Sequence, residues 1–156
     1  AMVNTLHALV LHGIDRHNAG RYRTVAVGIA GSQHIPPAPW QVADLMRDYG
    51  EWLTHAYTAL HPVLYAAEAH ERLVTIHPYI DGNGRTSRLV MNLILLQHGY
   101  PVANLRGDVA SRLAYYDALE TVNVTGNKTP FLAWIVQAVE TSIADILQRL
   151  AQENPI

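Results

Sequence analysis

Apolar residues return every third or fourth position over most of the chain, and that spacing constrains the fold more than any other feature of the sequence. Trp40, Val42, Leu45, Met46, Tyr49, Trp52 and Leu53 recur at helical spacing, with Pro39 suited to a first turn. Pro62 opens a second run carrying Val63, Leu64, Ala67, Leu73 and Ile76. After a glycine-rich break, Leu89 to Leu96 form a strongly apolar stretch stopped by Gly99 and Pro101. Asp108 to Val122 and Pro130 to Leu150 read as two more amphipathic helices, the last capped by Thr129. A short helix is expected over Val3 to Leu11. No repeat, low-complexity tract or linker divides the sequence, so residues 1–156 read as one domain of the all-α class.

One stretch departs from the helical period. Thr24-Val25-Ala26-Val27-Gly28-Ile29 alternates and is rich in β-branched residues. Ala30-Gly31-Ser32 supplies a turn, and Gln33-His34-Ile35 would return until Pro36-Pro37 stops it. The expectation is a helical bundle with one short β-hairpin attached.

Composition narrows the function classes. Lys+Arg of 11 against Asp+Glu of 13 leaves a net charge of −2, which argues against a broad grip on a nucleic-acid backbone. No uninterrupted apolar run approaches the roughly 20 residues of a bilayer span, so neither nucleic acid nor membrane is an expected partner. Cysteine is absent, which excludes disulfides, thiolate catalysis and cysteine-held metal. No secretory leader is visible at the start, where Ala1-Met2 reads as a cloning remnant. A bacterial cytoplasmic location is the corresponding expectation. Lys128 is the only lysine beside ten arginines, and no lysine-bearing phosphate loop occurs. An anion must therefore be held by arginine forks and backbone amides.

The unusual segment is His77-Pro78-Tyr79-Ile80-Asp81-Gly82-Asn83-Gly84-Arg85-Thr86-Ser87-Arg88, set between two apolar helices. Pro78 disfavours helix at His77, so the preceding helix should end there. Gly82 and Gly84 let backbone approach a ligand closely. A helix beginning near Gly84 would present unpaired amides and a positive dipole end, an anion cradle. Arg85 and Arg88, at i and i+3, would clamp successive phosphates above it. A first-turn arginine works against the helix dipole, and such a local conflict points to function. Asp81 stands where a carboxylate could hold Mg²⁺ across phosphate oxygens. His77, with an ordinary pKa near neutrality, is placed to act as a base on a hydroxyl.

Other constellations read as structural. His70-Glu71-Arg72-Leu73-Val74 lacks the second histidine of a zincin motif. His7, His12, His17, His55, His61 and His98 show no ligand spacing and read as surface or packing residues. No serine lies in a nucleophile elbow, and Ser87 is expected to point outward or cap locally. Trp40, Trp52 and Trp134 are expected in the core.

The segment His77 to Arg88 matches the signature H-x-[FY]-x-[DE]-G-N-G-R-x-x-R at every specified position. By it the chain resembles the Fic family, whose members mostly transfer AMP from ATP to a hydroxyl side chain of a target protein. Gly20-Arg21-Tyr22-Arg23, Gln33-His34-Ile35-Pro36-Pro37, His61-Pro62-Val63 and the helix from Arg88 are similar to the animal endoplasmic-reticulum members and their bacterial relatives. The resemblance extends from roughly Gly20 to Ile146.

What the resemblance implies is specific. The fold is a Fic-type helical bundle with a hairpin flap. His77 deprotonates the target hydroxyl, which attacks the α-phosphate of ATP and releases pyrophosphate. Asp81 carries Mg²⁺, or alternatively Mn²⁺. The ATP-binding residues are Asp81, Gly82, Asn83, Gly84, Arg85, Thr86, Ser87 and Arg88, with Tyr115, Tyr116 and Asn123 at the nucleoside. Val27, Gly28 and Ile29 belong to the flap that docks the target, which is another protein or the chain itself. Many relatives carry an inhibitory [ST]-x-x-x-E-[GN] helix, and no glutamate of this sequence stands in that pattern. Glu153-Asn154 comes nearest, but position 149 is arginine. The inhibitor is then either removed from the N-terminus or supplied by a separate chain, and forward transfer by this chain is expected. The alternatives are removal of AMP, another nucleotidyl transfer at the same site, or an inactive nucleotide-binding or toxin–antitoxin module. A homodimer is compatible with each.

Overall fold

A computed structural model describes residues 2–104 and 109–153. Six α-helices form the bundle: α1 (Met2–Val10), α2 (Val42–Ala59), α3 (Pro62–Ile76), α4 (Asn83–Gln97), α5 (Val109–Thr125) and α6 (Thr129–Glu153), with a 3₁₀ turn at Pro39–Gln41 leading into α2. The expected helices are all present. Asp108, the expected start of the fifth, lies outside the described residues.

α3 is the axis of the bundle, packing against α2, α4 and α6. Its sequence explains why. Ala66, Ala67 and Ala69 are fully buried, and such small side chains let neighbouring helices come close around Leu73. Met91 and Leu95 of α4 and Phe131 and Ile135 of α6 complete that core, all of them removed from solvent. The buried Tyr49 hydroxyl of α2 donates to the Ala69 carbonyl at 2.9 Å, so this phenol enters the core with its polar atom satisfied. α6 is long and apolar enough, on length and composition, to cross a bilayer, and 22% of its apolar window is buried; Phe131, Ile135 and Val139 pack against the bundle.

The helix ends follow local chemistry. Pro62 occupies the first turn of α3, and the His61 side chain accepts the Val63 amide at 3.3 Å. α4 stops at His98-Gly99, Gly99 adopting φ +78°. At α6 the expected Thr129 cap is replaced by Asn127, whose side-chain oxygen accepts the Thr129 amide at 3.1 Å.

The hairpin is not formed. Residues 24–35 carry no regular secondary structure, bending at Thr24 and Val25 and reversing at a turn closed by the Ser32 amide on the Ile29 carbonyl, 3.2 Å, and no strand occurs among the described residues. The polar groups at the ends of this excursion find partners elsewhere. Arg23 takes the Val25 and Pro37 carbonyls through its guanidinium, His34 Nε2 donates to the Thr75 carbonyl at 2.9 Å, and Glu120 of α5 receives Ser32 and Gln33. A lone two-stranded ribbon is marginal in water, and here the tethers replace its ladder. Trp40 also departs from expectation, being 81% exposed; Trp52 is half-buried under the Arg72 guanidinium, 4.3 Å from the ring centroid.

Candidate functional site

The twelve-residue corner joins the C-terminus of α3 to the N-terminus of α4, the most closely packed pair in the bundle. His77 ends α3 with φ 51° and ψ 57°, the single non-glycine residue of positive φ among those described. A non-glycine side chain held there stores strain of about 1–3 kcal/mol, a cost accepted mainly at functional positions. The conformation is held by two bonds to the Arg23 main chain and side chain. Nε of the buried Arg23 donates to the His77 carbonyl at 2.8 Å, and the Arg23 amide donates to the Pro78 carbonyl at 2.9 Å.

The imidazole is oriented as well. Its Nδ1 lies 3.2 Å from the Val74 carbonyl. A carbonyl only accepts, so Nδ1 carries the proton and Nε2 presents a lone pair. Burial lowers the pKa of His77, opposed next in size by the hydrogen bond to the Val74 carbonyl, with the Arg23 charge adding a smaller push downward. The ring is therefore neutral at physiological pH.

Gly82 caps α4 at φ +80°, and a Cβ placed on it would stand 3.1 Å from His7 Nε2. Both backbone and space demand glycine here. Gly84 is different: a Cβ there would meet only the Arg88 guanidinium at 3.5 Å, so packing does not require glycine. Its bare surface instead leaves the helix end open. The first intrahelical bond of α4 runs from the Thr86 amide to the Gly82 carbonyl at 2.9 Å. The Asn83, Gly84 and Arg85 amides ahead of it face no helical carbonyl, which is the donor set an anion takes at a helix N-terminus.

The remaining residues of the motif divide into two groups. Asn83 lies at the cleft, but its side chain closes the corner, accepting the Tyr79 amide at 2.9 Å and donating to the Tyr79 carbonyl at 2.8 Å. Its contribution to an anion is thus its backbone amide. Thr86 and Ser87 are fully buried and do not line the cleft; the Ser87 hydroxyl donates to the Asn83 carbonyl at 2.8 Å instead of pointing outward. Tyr79 is buried too, with its hydroxyl on Asn4 Oδ1 at 2.7 Å. Asp81, Gly82, Gly84, Arg85 and Arg88 all border the cleft.

The two arginines are not equivalent. Arg85 is paired with Asp81 at 2.9 Å, at a side-chain exposure of 40% against 67% for the carboxylate. No carboxylate among the described residues pairs with Arg88, which leans on the Tyr115 hydroxyl. A guanidinium with no carboxylate partner among the described residues, at the rim of a cleft, is suited to contact an anion.

The cleft itself holds about 610 Å³, the range of a small-molecule site. Tyr115, Tyr116 and Asn123 line it from α5, and Ile29 to Ser32 line it from the 24–35 segment. Tyr115 is mostly core, its hydroxyl 3.0 Å from His70 Nε2 and its pKa pushed up to about 12 by burial. Tyr116 is 59% exposed at the rim. Asn123 Oδ1 accepts the Thr75 hydroxyl at 2.9 Å. Of the flap residues, Ile29 reaches the cleft; Val27 and Gly28 do not line it. Arg23, His34, Glu120 and His7 support the site; Arg23 and His34 fall in stretches that resemble the family, but no local pattern gives any of the four its role, because each acts on a residue far along the chain.

The Fic/DOC family profile matches residues 1–95. Proteins titled protein adenylyltransferase Fic from Drosophila willistoni and Drosophila melanogaster are each 42% identical over 139 residues, 88% of this chain and 27% of theirs. The chain thus spans about a quarter of those relatives. Among solved structures, Fic-1 from C. elegans superposes with a TM-score of 0.87 at 32% identity, covering 97% of this chain and 44% of that one. A Fic family protein from Desulfovibrio desulfuricans gives 0.81 at 29% identity, covering 98% and 48%.

Proposed function

Because the chain belongs to the Fic/DOC family, we propose that it is a protein adenylyltransferase, moving AMP from ATP to a hydroxyl side chain of a target protein with release of pyrophosphate. The observation that carries this reading is one juxtaposition: a neutral histidine with a bare Nε2 and an amide-plus-arginine cradle share a single cleft. Neither half alone distinguishes a transferase from a phosphate-binding loop. The relatives named as adenylyltransferases support the same reading.

In this reading the triphosphate lies over the Asn83, Gly84 and Arg85 amides, with Arg88 on its distal phosphates. Arg85 joins it by exchanging Asp81 for a phosphate oxygen. His77 Nε2 takes the proton of the target hydroxyl as the oxygen bonds to the α-phosphorus. The bond from that phosphorus to the bridging oxygen breaks, and pyrophosphate leaves with the electron pair. Tyr116 and Asn123 would contact the nucleoside, and the 24–35 segment with Ile29 would present the target.

The donor set suits Mg²⁺ rather than a metal caged by protein. No cluster of three His, Asp or Glu occurs among the described residues, and Asp81 offers one exposed carboxylate. Mg²⁺ characteristically takes one or two carboxylates with substrate phosphates and water. Asp81 would hold it, and the ion when bound neutralises charge on the phosphate oxygens.

The test uses ATP labelled in turn at the α- and γ-phosphorus, incubated with the protein and a cell lysate. Adenylyl transfer predicts label on protein from the α position only. Label from the γ position, or from neither across several lysates, contradicts the reading.

A further inference from the structure

His7 lies in none of the segments the sequence marks as chemical, yet its polar contacts frame the cradle. It is fully buried on α1. Its Nε2 lies 2.9 Å from the Asp81 carbonyl, and its Nδ1 lies 2.9 Å from the Gly20 amide. A carbonyl accepts and an amide donates, so the proton sits on Nε2 and the lone pair on Nδ1. Both ring nitrogens are matched to the neutral imidazole. The ring also stacks on Tyr79 with centroids 3.6 Å apart and planes 5° apart, and the missing Cβ of Gly82 is what makes room for it.

These contacts control one peptide unit. The Asp81–Gly82 peptide is planar, so fixing its carbonyl toward α1 turns its N–H the opposite way. There the Gly82 amide meets the Asp81 carboxylate at 2.6 Å. The same carboxylate oxygen pair holds Arg85. Released from His7, the peptide is free to rotate, and with it go the orientation of the Asp81 carboxylate and the first free amides of α4. We propose that His7 is a positioning residue for the anion cradle, setting the Asp81–Gly82 peptide so that the α4 amides and the Asp81 carboxylate face the cleft together. The proposal rests on the nucleotide reading above for its functional consequence, but the peptide orientation itself does not.

Two substitutions separate positioning from bulk stability, because each keeps one of the two bonds. The amide nitrogen of H7Q reaches where Nε2 lies and keeps the Asp81 bond. The oxygen of H7N reaches where Nδ1 lies and keeps the Gly20 bond. Both lose the ring stack, so their melting temperatures should fall alike. Calorimetry with ATP and Mg²⁺ should then show H7Q within about threefold of the parent affinity and H7N weakened about tenfold, the scale of one lost hydrogen bond. In the nucleotide-free protein, loss of the ring moves the Gly82 amide resonance in both variants, and the Gly82 and Gly84 amides should move further in H7N than in H7Q. Equal loss of affinity in the two variants, following stability alone, overturns the proposal, as do Gly82 and Gly84 amides that move equally in the two. A parent protein that binds no ATP while the amides respond as stated would keep His7 as the positioning residue and remove the nucleotide reading. Should H7N fail to fold, H7Q decides: affinity kept despite a lowered melting temperature supports positioning, and affinity lost in step with it contradicts it.

Discussion

The corner from His77 to Arg88 and the excursion from Thr24 to Ile35 are both non-helical connections at one cleft, but they are held differently. The corner is braced from several sides by buried groups: Asn83 on Tyr79, His7 on Asp81 and Arg23 on His77. The excursion is tied at its two ends and at Glu120, while Thr24, Val25, Ala26 and Gly28 are exposed between the ties. A site for a fixed ligand profits from preorganisation, whereas a surface that takes varied protein segments profits from an unpaired backbone. In the proposed reading the nucleotide takes the corner and the target the excursion.

The largest effect that would break this contrast is at the base. His77→Ala should lower transfer by about 10²–10⁴-fold, the scale of a general base, while ATP affinity measured by calorimetry changes less than threefold. Loss of ATP binding would make His77 part of the cradle instead.

Next come the arginines. Arg88→Ala should weaken ATP binding by about 10–100-fold, as expected for a charge-assisted contact of about 1.5–3 kcal/mol. Arg85→Ala should weaken it less, by about threefold to tenfold, because Arg85 must first leave Asp81. The reverse order in a binding titration would show that the ion pair seen here is not an obstacle.

The two glycines sharpen the comparison within the corner. Gly82→Ala meets both positive φ and His7, so it should destabilise the fold by about 1–3 kcal/mol in denaturant melts. Gly84→Ala has room for its methyl group, so stability should stay within about 0.5 kcal/mol while ATP affinity falls severalfold. Equal stability losses would contradict the open-cradle reading.

The pH profile follows from the direction of the His77 shift. The base works when neutral, so kcat/KM should rise with pH through a midpoint below the ordinary histidine value of 6.5 and be flat above it. A midpoint above 6.5 would mean that the imidazolium is stabilised in the free enzyme, contrary to the effect of burial. The smallest effect belongs to the excursion: Glu120→Gln weakens the ties to Ser32 and Gln33 and should raise KM for the target by about twofold to fivefold, the scale of part of a hydrogen bond, with ATP affinity unchanged.

The parts of this site legible in sequence are those whose partners are near in sequence. Asp81 with Arg85 and Asn83 with Tyr79 are each four residues apart, so the motif contains its own interactions. The helices were legible for the same reason, since α3 and α4 carry their apolar period and their proline and glycine punctuation within themselves. Arg23 acts on a residue 54 positions away, His7 on one 74 away and Glu120 on one 87 away. No local pattern signals such pairs. His7 read as a packing residue because a buried histidine and a positioning histidine look identical in sequence. The alternation of Thr24 to Ile29 reads as a strand, yet the chain bends at Thr24 and Val25 and forms none; what sequence alone does not show is that Arg23, His34 and Glu120 take the place of a partner strand. Thr86 and Ser87 sit inside the motif yet face the core, because adjacent positions on a helix point in different directions.

The most direct measurement is a crystal structure with a non-hydrolysable ATP analogue and Mg²⁺. The account predicts phosphates over the Asn83, Gly84 and Arg85 amides, Arg88 on the distal end, and the α-phosphorus turned toward the space in front of His77 Nε2. Phosphates bound away from the α4 N-terminus, or an α-phosphorus facing away from His77, would contradict it.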